Sequence, residues 1–358
     1  MRVPLAAVSP GTTLSRPIYG VMGQILLREG VKLTARSIRR LQELGVSAVH
    51  IDLGIPEPED PISEHTRCYA HQMLAQLASN LPNKVQVREV VQSILDEILE
   101  SEAIIQGMNS ISTYDGYTYT HSVDVCILGL GIGVKLGLTH NQLVDLGTGC
   151  LLHDIGKLSL PSIILNKPGR LTADEYELVK THPQQGYNLI VANPDVSSQA
   201  AQTVLQHHER WNGSGYPLGK SQQEIHPFAA ICGVADTYSA MISNRVYRKA
   251  VPSHESYEML LASGGTWFDF KIIQAFAKCV VPYPPGALVE LTNGQAALVV
   301  RSSPSHPYVP VVRIVGTDVT LMEEIDLQEA RIGIRGLLSA AATRRLLGST
   351  EYASALGI

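Results

Sequence analysis

Histidine and aspartate residues recur beside apolar, helix-like segments of this sequence, and both residue types are common metal ligands. Two such segments end in HD or HH, in LLHDIGKL and TVLQHHERWNGSGYP, and YTYTHSVDV, KTHPQQG and VADTYSAM carry one candidate each. The candidates are His121, His153, Asp154, His182, His207, His208 and Asp236. An unpaired buried polar group costs on the order of 1–3 kcal/mol, and a divalent metal would satisfy several at once. The pattern therefore predicts a metal site.

The number and type of these ligands indicate how many ions bind and of which kind. Five histidines and two aspartates are too many for one tetrahedral ion, and they suit two ions that share one carboxylate. Adjacent ligands at a helix end can direct two donors toward one cavity, whereas neighbours inside a regular helix diverge by about 100°. Nitrogen and oxygen donors without thiolate favour Fe, Mn or Zn over Mg or a sulfur-bound centre.

The alternative for any single histidine is a hydrogen-bonded core residue. We assign that role to the other histidines, which are His50, His65, His71, His140, His226, His254 and His306. HD alone is common by chance. HDIGK, together with HHE followed by GYP, is far more specific and favours the metal site.

Helices are the elements that must position the candidate ligands. Apolar residues recur on one helical face from Val87 to Leu99, and Thr139 and Thr172 each begin a capping-box pattern. Strand-like runs are scarce in this part of the chain. Residues 85–282 are therefore predicted to form a helical domain, and the proline- and acid-rich segment 57–84 a linker with a leading helix.

Smaller flanking domains complete the predicted architecture, which is mainly α. Residues 1–56 combine short strand-like pieces with a helix capped by Thr34, which carries Ile38, Leu41 and Leu44 on one stripe. Residues 283–358 are predicted to be a small β-rich appendage. A hairpin with a type I′ turn at Asn293-Gly294 and a helical tail after Ile334 belong to it.

Composition excludes several classes of function. The 28 Lys+Arg against 33 Asp+Glu give a net charge of −5, and aromatic residues make up 6%, which argues against duplex nucleic acid and base-stacking platforms as partners. Five cysteines without a CxxC pair predict a reduced, cytoplasmic protein. The N-terminus lacks a signal-peptide core, and the apolar run 125–134 is too short to span a membrane, so no membrane partner is expected.

HDIGK and HHERWNGSGYP resemble the two signatures of the HD-GYP family of metal-dependent phosphohydrolases. YTYTHS, LTADEYELVKTHP, VADTYSAM and SNRVYRKA follow in family order, so the resemblance extends from about 114 to 277. Residues 1–56 resemble the small domain that often precedes such modules. The resemblance implies an HD-type helical fold and hydrolysis of cyclic di-GMP to pGpG or GMP.

The resemblance also implies a division of the ligands between two metals. One would be held by His121, His153, Asp154 and Asp236, and the other by Asp154, His182, His207 and His208. Asp154 would bridge the two ions, which can hold a bridging hydroxide as the nucleophile. Some members use a glutamate four residues before the first histidine to bind a third metal. Tyr117 occupies that position here, which favours two metals.

Several residues are candidates for substrate contacts. Lys157 follows Asp154 by three residues and could reach a phosphate oxygen, which makes it a catalytic candidate as well. Arg245 and Arg248 resemble the basic pair with which the family contacts phosphate. Tyr216 belongs to the glycine-rich GYP loop, which could line the pocket or contact signalling partners.

Two departures from the family pattern lie outside the predicted set of metal ligands, so they bear on the details of the site rather than on metal binding. Asn212 and Ser239 stand where many members have aspartate.

Three functions remain open from sequence alone. The first is an active cyclic di-GMP phosphodiesterase, which the complete ligand set and Lys157 favour. The second is a receptor that binds the dinucleotide and signals through protein partners without turnover. The third is a hydrolase of a different cyclic dinucleotide. A homodimer is also left open.

Overall fold

The computed structural model describes residues 2–5, 8–19, 25–44, 46, 48–51, 60–79, 87–101, 117–165, 167, 169–243, 250–315 and 321–338. They divide into two compact units. One comprises the described residues between 61 and 280, and the other those between 2 and 60 and between 281 and 338. The boundaries at 56, 84 and 282 given above remain predictions.

The N-terminal segment combines two small antiparallel strand pairs with one helix. Its elements are β1 (Arg2–Pro4), β2 (Ile18–Tyr19), β3 (Ile25–Leu27), α1 (Ala35–Glu43) and β4 (Ala48–His50), with β1 paired to β4 and β2 to β3. Thr34 caps α1 as predicted, because its hydroxyl accepts the Ser37 N–H at 3.1 Å. Ile38 and Leu41 are buried. Leu44 is 42% exposed because it follows the last helical turn.

The unit between 61 and 280 is helical, which confirms the predicted mainly α class. Its helices are α2 (Glu64–Ser79), α3 (Val87–Glu100), α4 (Tyr117–Lys135), α5 (His140–Leu152), α6 (Ser162–Leu165), α7 (Ala173–Val179), α8 (His182–Ile190), α9 (Ser198–Gln206), α10 (Pro227–Ile242), α11 (Ser253–Ala262) and α12 (Phe270–Ala277). Short 3₁₀ helices cover Ile155–Ser159 and Gln222–Glu224.

Helix α4 is the central element of this unit. Its residues from 121 to 133 are buried all round, which is the property of a helix that has neighbours on every side. It packs against α2, α3, α5, α10 and α12, while α9 packs against α5, α8 and α10. The predicted apolar face of α3 is buried from Val87 to Leu95. This packing directs the ends of α5 and α9, the start of α8 and the middle of α10 toward one region.

The C-terminal segment forms an antiparallel sheet in the order β8-β7-β6-β5-β9. The strands are β5 (Leu288–Leu291), β6 (Ala296–Arg301), β7 (Val311–Val315), β8 (Leu321–Asp326) and β9 (Ile334–Leu337), and α13 (Leu327–Ala330) follows β8. Buried aliphatic side chains from β5, β6, β7 and α13 form its core.

Two details of this segment differ from prediction. The β5–β6 hairpin forms, but Gly294 has a positive φ of 84° and Asn293 does not, so the turn is not type I′. Both central residues of that turn would need positive φ, and one left-handed residue at the end of a longer loop serves instead. Residues 334–337 pair with β5 as a strand, where a helical tail was expected. Residues 339–358 lie outside the described residues.

Across the described ranges, the structure contains no helix with the length and apolarity needed to span a bilayer.

Candidate metal centre

The packing of the helical unit gathers all seven candidate ligands. They are His121 on α4, His153 and Asp154 at the end of α5, His182 at the start of α8, His207 and His208 after α9, and Asp236 on α10. Six are buried and His208 is half-buried. Their ligand atoms form three overlapping groups, each within 4.8 Å, of which two contain His153 and two contain His207. A continuous cluster of nitrogen and oxygen donors results.

Three of the imidazoles are oriented by the same kind of local hydrogen bond. The Nδ1 atoms of His153, His182 and His207 lie 2.7, 2.8 and 2.8 Å from the carbonyl oxygens three residues earlier. Those carbonyls belong to the last turns of α5, α7 and α9, where the regular helical partner is missing. A carbonyl only accepts, so Nδ1 must carry the proton. The Nε2 lone pairs are thereby directed into the cluster, as in metal-bound histidines.

His121 is held differently, by two side chains of one helix. Its Nε2 lies 3.0 Å from Oδ1 of Asp236, and its Nδ1 lies 2.9 Å from the hydroxyl of Ser239. Asp236 and Ser239 are three residues apart on α10 and so share a face. Both nitrogens of this ring therefore have partners in the absence of an ion.

The remaining ligand atoms are close together but poorly satisfied. Nε2 of His182 lies 3.3 Å from Nε2 of His207 and 3.3 Å from Oδ1 of Asp154. Nε2 of His153 lies 3.4 Å from Oδ2 of Asp154. His153 Nε2 and Asp154 Oδ1 are buried and make no hydrogen bond to any described residue. Two lone pairs at such a distance repel each other unless a cation or a proton lies between them.

A divalent cation fits this arrangement. Nitrogen ligands bind zinc-like ions at about 2.0–2.1 Å, so two ligands at a tetrahedral angle are about 3.3–3.4 Å apart. The Nε2 atoms of His182 and His207 have that separation. An ion would also satisfy the two orphaned atoms, which would otherwise each cost on the order of 1–3 kcal/mol.

The carboxylates of the cluster favour positive charge nearby. Burial opposes ionisation of Asp154, but Lys157 and His153 outweigh it and hold the pKa of this carboxyl well below its usual value. Burial likewise opposes ionisation of Asp236, and its hydrogen bond from His121 keeps the pKa well below normal. At His153 burial lowers the pKa, but Asp154 reverses the shift and raises it to about 9. The surroundings of Asp154 thus stabilise a cation.

His207 and His208, which are adjacent in sequence, remain neutral. Burial lowers the pKa of His207 well below its usual value, and the charge of His208 lowers it further. Burial also lowers the pKa of His208, against the effect of Asp236. Neutral imidazoles beside ionised carboxylates are the protonation states that metal ligation requires.

Two glycines permit the close approaches on which this geometry depends. A Cβ on Gly156, in the HDIGK segment, would overlap the carbonyl oxygen of His182, so this glycine lets the turn after Asp154 reach α8. A Cβ on Gly233 of α10 would lie 2.7 Å from the carbonyl oxygen of His207. Larger residues at either position would separate the helices that carry the ligands.

The GYP loop is attached to the cluster by a buried carboxylate. Glu209 accepts the backbone N–H groups of Leu218 at 2.7 Å and Lys220 at 3.0 Å. Tyr216 donates its N–H to the carbonyl of His208 at 3.3 Å, and its ring stacks on that imidazole at 4.6 Å. The loop therefore places Tyr216 directly against a candidate ligand.

Two lysines approach the cluster. Lys157 Nζ lies 2.5 Å from Oδ2 of Asp154, so this cation neutralises the carboxylate. Lys180 Nζ lies 5.9 Å from the ring centre of Tyr216 and 5.5 Å from that of Tyr176. Sequence reasoning did not identify Lys180.

The structure describes only some of the remaining residues that the sequence singled out. Arg245 and Arg248 lie outside the described residues. Tyr117 is the first residue of α4, and its side chain is also outside them. Asn212 accepts the N–H and hydroxyl of Ser214, which forms a local turn in the loop.

Comparison with known proteins agrees with the geometry. A family model described as an HD domain matches residues 104–272. A cyclic di-GMP phosphodiesterase of Pseudomonas aeruginosa is 36% identical over 63% of this chain and 54% of its own length. Another of that name from Thermotoga maritima is 34% identical over 49% and 48%. The chain is thus similar to HD-domain proteins and to these curated phosphodiesterases.

The chain spans about half the length of these curated relatives. A solved HDG“Y”P protein from Bdellovibrio bacteriovorus matches 77% of the chain and 97% of its own, with a TM-score of 0.53 and 18% identity. That likeness shows a shared helical fold. The His/Asp cluster of this chain suits divalent metals.

Sequence reasoning missed two supporting residues of the candidate metal centre. Glu209 follows the two ligand histidines and precedes a glycine-rich loop with free backbone N–H groups, a pattern that could have indicated a loop anchor. Ser239 was noted only as a departure. Its spacing of three from Asp236 on α10 could have indicated a shared helix face.

Proposed function

We propose that this chain is a metal-dependent phosphodiesterase that hydrolyses cyclic di-GMP to pGpG or GMP. The observation that carries the proposal is a buried cluster of five imidazoles and two carboxylates, in which His153 Nε2 and Asp154 Oδ1 have no hydrogen bond to any described residue. Two divalent ions, iron or manganese before zinc, are the cofactors that suit this donor set. The relatives that share the motifs support the substrate.

The two oxygens of Asp154 support its role as the shared ligand. Oδ1 faces His182, whereas Oδ2 faces His153. His121, His153 and Asp236 would complete one ion's ligand set, and His182, His207 and His208 the other's. Ions bound there would supply a hydroxide nucleophile at neutral pH and would neutralise charge on the phosphoryl oxygens.

Lys157 would act on the substrate phosphate. Its ammonium now compensates Asp154 Oδ2, and 27% of its side chain is exposed, so it lies at the edge of the buried cluster. Ions bound at Asp154 would compensate its charge, and the Lys157 ammonium could then donate to a phosphoryl oxygen. A fixed donor to developing charge is worth roughly 10²–10³-fold in rate.

The wall of the substrate site would be formed by Tyr216. The ring is held by stacking on His208 and has the Lys180 ammonium nearby. An aromatic ring beside a cation suits a nucleotide base and its phosphate. Arg245 and Arg248 remain predicted phosphate contacts. A cytoplasmic location, a homodimer and signalling partners of the GYP loop also remain proposals.

The test is incubation of the purified protein, loaded with Mn(II) or with Fe(II) under anaerobic conditions, with cyclic di-GMP, followed by chromatography of the products. We expect pGpG or GMP from the wild type and none from Asp154→Asn. Tight binding without turnover by the loaded wild type would identify a receptor instead. Turnover of a mixed-base cyclic dinucleotide in preference to cyclic di-GMP would change the substrate.

Lys157→Met is the sharper variant in the same assay. It should leave the metal content unchanged and lower kcat/KM by about 10²–10³-fold. Lys167→Met is a matched control, because Lys167 also pairs with a carboxylate, that of Glu175, which is not one of the candidate ligands. Wild-type turnover by Lys157→Met would assign this lysine to the surface.

A further inference from the structure

His121 differs from the other candidate ligands in how its distal nitrogen is held. His153, His182 and His207 each direct Nδ1 to a carbonyl in the last turn of a helix. His121 lies in the second turn of α4, where the carbonyls already belong to the helical hydrogen-bond ladder. It therefore needs a partner from another element, and that partner is Ser239 of α10 at 2.9 Å.

The contact between Ser239 and His121 is buried in the helical unit. Ser239 and His121 are both buried, and α4 packs directly against α10. Asp236 and Ser239 present their oxygens to Nε2 and Nδ1 of the same ring from one face of α10. Substituting alanine at 239 would leave Nδ1 without this hydroxyl in a buried environment, where polar groups are costly to leave unpaired.

We propose that Ser239 is a positioning residue for His121, and that it controls the affinity of the ion held by His121 and Asp236. The inference rests on the proposed metal centre. With Nε2 on a cation, Nδ1 must carry the proton and donate it to the Ser239 oxygen. The hydroxyl then does for His121 what a helix-end carbonyl does for each of the other three rings.

A hydroxyl also differs from a carbonyl because it can donate. With Ser239 donating to Nδ1, His121 Nε2 can donate to Asp236, so this ring is satisfied by the chain itself, although His153 Nε2 beside it makes no hydrogen bond to any described residue. An ion at His121 and Asp236 would have to replace the hydrogen bond between them, whereas Asp154 Oδ1, which faces His182, makes no hydrogen bond to any described residue. We therefore expect the ion at His121 and Asp236 to be the weaker bound of the two.

The experiment is a titration of the metal-free full chain with Mn(II), with free ion measured by electron paramagnetic resonance. For the wild type we expect two classes of site. Ser239→Ala should weaken the weaker class by about 10–100-fold, the usual cost of losing a group that orients a ligand histidine, and leave the tighter class unchanged. Ser239→Thr keeps the hydroxyl and should restore the weaker class.

Ser256→Ala is the control for a merely structural effect. Ser256 is fully buried on α11 in the same unit, and it is distant in sequence from the ligands. It should leave both classes of site at their wild-type affinity. The melting temperature of metal-free Ser239→Ala should fall below that of Ser256→Ala, because His121 Nδ1 loses its hydroxyl partner whereas the Ser256 hydroxyl makes no hydrogen bond to any described residue.

Two results would overturn the inference. One is wild-type affinity of both classes in Ser239→Ala, and the other is equal weakening of both classes. Failure of the proposed function has a separate signature, in which wild-type protein binds two ions yet does not hydrolyse cyclic di-GMP, while the Ser239 effect persists. A wild type that takes up no Mn(II) would contradict both proposals.

Discussion

Helix α4 carries buried polar side chains in two sites of different kinds, one turn apart. Asp124 pairs with Arg67 of α2 at 2.9 Å, and the two charges compensate each other. His121, three residues earlier, belongs to the cluster in which His153 Nε2 and Asp154 Oδ1 have no hydrogen bond to any described residue. Equal burial therefore does not imply an equal role.

The difference indicates how to separate structural from functional polar residues. A buried ion pair that is complete within the chain contributes to the native state through its own partners. A cluster that holds more ligand atoms than the chain can pair favours the binding of an external ion, because the folded chain alone leaves some of those atoms without a hydrogen bond. Substitutions in the first site should change stability, and substitutions in the second should change metal binding and catalysis.

The largest expected effect comes from Asp154, whose two oxygens face both halves of the cluster. Asp154→Ala should lower the turnover of cyclic di-GMP by at least about 10³-fold and reduce the content of both metals. His207→Ala should chiefly empty one site. Elemental analysis of the two purified variants, beside the wild type, measures this difference. Near-normal metal content in Asp154→Ala would contradict the shared-ligand assignment.

The next largest effect belongs to the complete ion pair. Arg67→Met leaves the Asp124 charge buried without this partner and should destabilise the protein by about 3–5 kcal/mol in urea denaturation. Metal content per folded molecule should stay unchanged. The double variant Arg67→Met/Asp124→Leu should recover most of the lost stability, because both charges of the pair are then removed. Loss of metal from Arg67→Met at unchanged stability would contradict this assignment, because the ion pair would then serve metal binding rather than stability.

Sequence reasoning predicted the cluster because its residue types and motifs identify metal ligands locally. The histidines at helix ends needed no knowledge of packing, since HD and HH each follow a helix-like run. The predicted cap at Thr34 and the buried face of α3 succeeded for the same reason, because both depend on neighbours in sequence.

Contacts between distant segments could not be predicted in the same way. Ser239 and His121 are 118 residues apart, and Arg67 and Asp124 are 57 apart. The sequence contains no periodic signal for either pair. Likewise, residues 334–337 became a strand because β5 offers an edge to pair with, a tertiary effect that local helix propensity does not contain.

The pH dependence of stability provides a third test at the Arg67 site. Burial and, to a smaller extent, the charge of Arg67 together lower the pKa of His71 from its ordinary value of 6.5 to about 4. Because the unfolded chain takes up the proton first, stability should fall as the pH drops from 6.5 toward 4 and should not change through this group above 6.5. At pH 5 the loss from His71 is about 2 kcal/mol.

The measurement is urea denaturation at pH 7 and pH 5 of the wild type and of His71→Leu. The wild type should lose more stability between the two pH values than the variant, since the variant lacks this titrating group. Other groups titrate in both proteins, so the difference between them isolates His71. An equal loss in the two proteins would show that His71 is protonated at no cost in the folded state.

The smallest expected effect concerns Glu209, a buried carboxylate that accepts two backbone N–H groups of the GYP loop. Glu209→Gln keeps one acceptor oxygen but places an amide N–H against another N–H donor, at Leu218 or Lys220. We expect a loss of about 1 kcal/mol in stability, unchanged metal content, and a KM for cyclic di-GMP raised several-fold, because the loop that carries Tyr216 loosens. Glu224→Gln is the matched control, since Glu224 accepts the N–H of Ser221 from an exposed position, and it should change neither KM nor metal content. Loss of metal from Glu209→Gln would contradict this expectation. Glu209 would then support metal binding as well as the position of the loop, and it would have to be grouped with the metal cluster rather than with the satisfied polar sites.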